Sequence, residues 1–146
     1  MKILLLLYVS VSLFGSSCAA CKESPKADVP LYDTKWSLKK IHIKDSIQNV
    51  QTKAFIKFNK EKNGAGGNGS CNSFGGNATI NGNQLSFKNI FSTKMYCEEV
   101  QQVENNFLRN LDKITRYEIK GKILLLYHDK ELMLEFLAED DNKKSE

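Results

Sequence analysis

The stretch Asn68 to Gly76, N-G-S-C-N-S-F-G-G, constrains this chain more than any other. Gly69, Gly75 and Gly76 permit backbone paths and close approaches that other residues resist, and Cys71 sits in their midst. A second cysteine, Cys97, closes the run T-K-M-Y-C. The two cysteines read as the pair that fixes an unusual path at a strand edge, with most of the remaining chain laid around it as strands. Three chemistries fit such a pair: a structural disulfide, two packed free thiols, or a reactive or metal-binding pair. The disulfide is the preferred reading, because an exported protein meets oxidising conditions and a bridge over this span would stabilise by roughly 3 to 4 kcal/mol. Zinc would need two further ligands, and His42 and His128 fall in separate predicted strands without ligand spacing.

Export is read from the N-terminus. Met1 and Lys2 precede the apolar run Ile3 to Phe14 and the small residues Gly15, Ser16 and Ser17, the three parts of a secretory signal. The run is too short for a membrane span, which takes about 20 apolar residues. The S-C-A-A-C-K that follows resembles a bacterial lipoprotein box, with Cys21 (after Ala19 and Ala20) as the expected acylated residue and Cys18 (after Ser16 and Ser17) as the alternative. The expected division is a signal peptide at 1–20, a tether at 21–30 carrying Pro25 and Pro30, a domain at 31–138 and a charged, disordered tail at 139–146. A net charge of +4, interspersed along the chain, is no nucleic-acid footprint. The expected partners are a membrane, reached through the lipid anchor in the bacterial envelope, and an envelope protein.

A chain of 146 residues supports one domain. Alternation at Trp36, Leu38, Ile41 and Ile43 predicts a strand with a phase change near Lys39 and Lys40, the mark of a bulge. Asp45 to Val50 reads as a turn, Lys53 to Phe58 as a strand, and Asn59 to Gly67 as a long polar, glycine-rich loop. Asn81-Gly82 predicts a tight hairpin between strands at Asn77 to Ile80 and Gln84 to Phe87. The period then shifts: Val100, Val103, Phe107 and Leu111, joined by Leu108, lie on one stripe, so Glu98 to Leu111 is the expected helix. Glu98 and Glu99 would occupy its first turn, where the dipole favours them. Strands at Ile114 to Ile119, Lys122 to Tyr127 and Glu131 to Leu137 complete an antiparallel meander, and apolar residues on both faces of I-L-L-L-Y mark its middle strand as central.

W-x-L at Trp36 to Leu38, C-N-x-F-x-G spanning Cys71, Asn72, Phe74 and Gly76, and T-x-M-x-C spanning Thr93, Met95 and Cys97 occur in that order ahead of the helix and meander. Together these motifs resemble the META domain family, which includes small bacterial envelope lipoproteins, over roughly Leu31 to Leu137. The resemblance implies a single α+β domain: a strongly curved antiparallel sheet or partial barrel with one packed helix. It also implies association with stress, drug tolerance, motility or virulence, without a defined molecular activity. Ser70 departs from the family's frequent glycine, and Asn59 to Gly67 reads as a longer insertion.

No catalytic constellation stands out. G-A-G-G-N-G at Gly64 to Gly69 has the spacing of a dinucleotide-binding loop, but no helix follows it. No phosphate-binding loop, nucleophile elbow or zinc-protease helix motif occurs. The pairs Glu98-Glu99 and Asp140-Asp141 read as helix-start and tail charges. The expectation is a non-enzymatic binding or stress-protective envelope lipoprotein without cofactor or metal. The alternative is an interaction or inhibitor module that presents the loop 59–69 to a protein partner.

Overall fold

Alternating apolar residues dominate the chain after Pro30, and each alternating run becomes a strand with one face turned inward. The computed structural model describes residues 27–139. The signal segment, Cys18, Cys21, the first part of the tether and the tail from Asp140 lie outside the described residues. In chain order the elements are β1 (Trp36–Ile43), β2 (Ser46–Asn49), β3 (Phe55–Asn59), β4 (Gly64–Asn68), β5 (Ser73–Asn81), β6 (Gln84–Ser92), α1 (Gln101–Leu111), β7 (Arg116–Lys120), β8 (Ile123–His128) and β9 (Glu131–Ala138). All strand pairs are antiparallel. The order runs β2-β1-β3-β4-β5-β6-β7-β8-β9, and β1 also pairs with β9, so the curved sheet closes into a near-ring. The α+β class expected from sequence is the one observed.

The ring is uneven. β1 and β9 share five register pairs with a shift between Leu38 and Lys40, the bulge expected at Lys39 and Lys40. β6 and β7, connected in the chain through α1, meet at one pair, Gln84 with Arg116, flanked by bonds from Leu85 N–H to the Thr115 carbonyl and from Tyr117 N–H to the Asn83 carbonyl. Trp36, Leu38, Ile41, Ile56, Leu124, Leu126, Leu134 and Phe136 fill the interior. Leu124, Leu125 and Leu126 are all buried, as expected for a central strand. α1 lies over one opening, with the Phe107 ring edge-on to Phe74 at 5.4 Å and to Phe136 at 5.8 Å. Val29 to Thr34 crosses the opposite opening, where Leu31 is buried against the core.

Four sequence expectations need correction. The segment Asn59 to Gly67 is no loop. It is a hairpin whose second arm, β4, lies between β3 and β5. Glycine makes this possible: a Cβ on Gly67 would strike the Phe55 carbonyl, and one on Gly66 would lie 2.9 Å from the Phe74 oxygen. Asp45 to Val50 is not merely a turn, since β2 pairs along the second half of β1. β5 begins at Ser73 and β6 runs on to Ser92, so the central hairpin is longer than its apolar alternation suggested. The helix begins at Gln101, and Glu98 and Glu99 sit in the turn before it; the acid in its first turn is Glu104.

Candidate functional site

Gly69 to Asn72 joins β4 to β5 in a tight crossing. Gly69 N–H donates to the Asn72 carbonyl at 2.7 Å, and Ser70 N–H to Asn68 Oδ1 at 2.9 Å. Ser70 has φ of 125°, a conformation that L residues rarely adopt, and its hydroxyl is tied to Thr52 at 2.7 Å. That tie is how serine is held where the family resemblance favours glycine.

The crossing is pinned from the helix. Glu104, 3% exposed, accepts at Oε2 from Cys71 N–H at 3.0 Å and Asn72 N–H at 2.6 Å, and at Oε1 from Asn72 Nδ2 at 2.6 Å. Asn72 Nδ2 donates its other hydrogen to the Met95 carbonyl at 2.9 Å, while Oδ1 accepts from Thr93 Oγ1 at 2.8 Å and Met95 N–H at 2.7 Å. The carboxamide thereby uses both donors and both lone pairs. Cys71 and Cys97 form a disulfide with Cα atoms 5.9 Å apart. Gly69 is required here, because a Cβ would lie 2.7 Å from Glu104 Oε2.

The motif residues therefore divide into two groups. Cys71, Asn72, Thr93, the Met95 backbone and Cys97 converge on the pin, and Phe74 packs beneath it on Phe107. Gly76 lies farther along β5, where a Cβ would sit 3.1 Å from the Lys88 carbonyl at the irregular β5–β6 pairing. Trp36 is elsewhere: fully buried, it donates from Nε1 to the Leu31 carbonyl at 3.0 Å at the other opening. Sequence reasoning missed Glu104. The signal was present, since position 104 falls with Val100, Val103, Phe107 and Leu111 on the inward stripe. A carboxylate on such a face is buried only when it has donors. The carboxylate, the carboxamide and both sulfurs of the pin are all engaged in bonds within the protein. Among the described residues no group of three or more His, Cys, Asp or Glu could hold a metal ion.

Across the outer face of β3–β6 the register aligns Lys57, Gly66, Gly75 and Phe91 in one row. The bare backbone between Lys57 and Phe91 floors a recess of about 620 Å³, also lined by Asn59, Lys62 and Asn77. Phe91 is 70% exposed, and its ring tip leans over Gly75. The two histidines approach one cleft beneath the end of α1 but bond separately, His42 Nε2 to Glu135 at 2.7 Å and His128 Nδ1 to the Lys113 carbonyl at 2.7 Å. Burial would raise the Glu135 pKa, but the hydrogen bonds from Lys40 and His42 outweigh it and hold that carboxyl below its ordinary value.

A structure determined by NMR for a protein from Burkholderia xenovorans superposes with a TM-score of 0.64 at 23% identity, covering 75% of this chain and 83% of that one. A second NMR structure gives 0.52 at 19% identity, covering 71% and 88%. At these identities the likeness establishes the fold alone. No curated protein matches the chain. The META domain model matches residues 29–141, nearly all of the described ring with its helix and pin, and the chain belongs to the META domain family.

Proposed function

We propose that this protein is a non-catalytic, lipid-anchored binding module of the bacterial cell envelope, serving a stress-protective role through a ligand or partner held outside the ring. The observation that carries the reading is the recess over β3–β6, where an exposed aromatic ring faces a lysine across a floor without side chains. Concave sites that combine apolar surface with a few polar groups are the usual form of a binding site. The alternative, presentation of 59–69 to a protein partner, keeps support in a changed form. Asn59, Gly64 and Gly66 line the same recess from a hydrogen-bonded hairpin, so the segment would be read as a sheet surface and not as a loop.

The anchor is tested by labelling cells with an alkyne palmitate analogue. Label is expected on the wild-type chain and absent from a Cys18→Ser/Cys21→Ser double variant; label retained by that variant refutes the anchor. The binding reading is tested by titrating the ¹⁵N-labelled full chain in detergent micelles with solubilised native envelope fractions. Shifts concentrated on Lys57, Gly66, Gly75 and Phe91, and lost in Phe91→Ser, are expected. Shifts that avoid this row, or none, count against it.

A further inference from the structure

A second concavity, on the helix side of the molecule, has a different character. The β1–β2 turn, the end of α1 and the start of β9 enclose a cleft of about 600 Å³ into which Lys44, Arg109 and Lys113 converge. Among the described residues none of these three cations forms an ion pair. One carboxylate, Glu131, lines the cleft with them, while neighbouring Glu135 is engaged by Lys40 and His42. The cleft therefore carries a surplus of positive charge supplied by separate elements.

Asn110 makes this more than a charged surface. It is 8% exposed, lines the cleft, and its carboxamide has no hydrogen-bond partner among the described residues. No fully enclosed side-chain N or O atom lacks a partner, so the Asn110 amide must reach solvent, and the cleft is where it opens. With no partner inside the chain, that amide is free to donate to whatever occupies the cleft. His128 gives its Nδ1 to the Lys113 carbonyl, which leaves Nε2 as the ring atom available to an occupant.

Arg109 alone has a bland explanation, because a cation in the last turn suits the helix dipole. That account does not bring in Lys44 from another element, nor does it explain the unpaired amide. We infer that this cleft binds a phosphate monoester. Such a group carries about −1.5 to −2 charge at pH 7, which matches three unpaired cations against one acid. A guanidinium fork suits its oxygens, and the Asn110 amide can donate to one of them. The cleft exceeds what a bare phosphate fills, and Met133 and Ile43 supply apolar wall for the esterified group. The ester could come from a soluble sugar phosphate or from a lipid headgroup.

The experiment titrates the full chain, ¹⁵N-labelled in detergent micelles, with glucose 6-phosphate, dihexanoyl phosphatidic acid, inorganic phosphate, glucose and dihexanoyl phosphatidylcholine. Saturable shifts at the Asn110 side-chain amide are expected with at least one of the two monoesters and with neither neutral control. Response to glucose 6-phosphate identifies a soluble source, and response to the phosphatidic acid a lipid one. Lys44→Gln and Arg109→Gln should each weaken binding by about tenfold, the usual weight of a charge-assisted hydrogen bond, while Lys94→Gln should not. Both altered residues are exposed, so an unchanged melting temperature is expected, and Lys44→Gln decides if Arg109→Gln melts early. Silence at Asn110, equal response to the neutral controls, binding of inorganic phosphate without either ester, or unchanged affinity in Lys44→Gln overturns the inference. The recess over β3–β6 shares none of these residues, so failure here leaves the proposed function untouched.

Discussion

The helix end of the ring and the end crossed by Val29 to Thr34 close the same kind of opening with different physics. At the helix end, a buried carboxylate, a saturated carboxamide and a disulfide tie three separate parts of the chain to one point. At the other end, the strap is held by Trp36 Nε1 to Leu31, Thr34 Oγ1 to the Pro30 carbonyl at 2.7 Å, Val29 N–H to the Gly121 carbonyl at 2.9 Å, and Gly121 N–H to Asp28 at 2.6 Å. Those bonds are separate and mostly one per residue, whereas the pin's bonds share atoms. Shared atoms make the loss of one group cost several bonds at once. The comparison teaches that the cysteines, the more visible feature of the sequence, are half of the pin, and Glu104 is the other half.

The sharpest way to break this contrast is Glu104→Ala, which orphans three buried donors. A loss of about 3 to 5 kcal/mol is expected, measured by urea unfolding. A loss no larger than that of a strap variant would show that the pin is not a unit. Removing the bridge with Cys71→Ala/Cys97→Ala should cost about 3 to 4 kcal/mol on the chain-entropy account, while amide shifts around Asn72 stay near native because Glu104 still holds the crossing. Collapse of those shifts would assign the path to the sulfurs alone.

Trp36→Phe tests the opposite end. It removes the bond to the Leu31 carbonyl and should cost about 1 kcal/mol beyond the packing change, with accelerated hydrogen exchange confined to the strap. Exchange that spreads to Asn72 would mean the two ends are coupled. The smallest effect is acid sensitivity along the β1–β9 seam between them. The Glu135 pKa is lowered in the fold, with the bonds from Lys40 and His42 overcoming burial. Its contribution is therefore complete above the unfolded carboxyl value of about 4.3 and disappears as pH falls through the lower folded value. Glu135→Gln should lose no more than about 1 kcal/mol at pH 7, and its difference from wild type should vanish at strongly acidic pH. A difference that grows on acidification would reverse the sign of the argument.

Much of the ring was legible because period-two burial is a local property. The strand of Trp36 and its bulge, the Asn81-Gly82 hairpin and the buried middle strand of the meander all follow from alternation read within a few residues. β4 was not legible: G-A-G-G-N has almost no side chains to alternate, and it is a strand because β3 and β5 flank it closely enough to exclude a Cβ. The helix start was misplaced for a related reason, since Glu98 and Glu99 look like first-turn acids until the bridged Cys97 and the turn after it set where the helix begins.

By itself, then, the sequence determined which residues face inward along the strands that alternate, and that two cysteines stand 26 positions apart, because side-chain hydrophobicity and chain spacing are intrinsic to it. Only the tertiary structure decided that Glu104 would meet the Cys71 and Asn72 amides, that bare glycine backbone would floor an outer recess, and that Lys44 would join Arg109 around an unpaired Asn110. Each of these brings together groups from different elements of the chain. Closure of the ring brings them together, and no local propensity encodes that meeting.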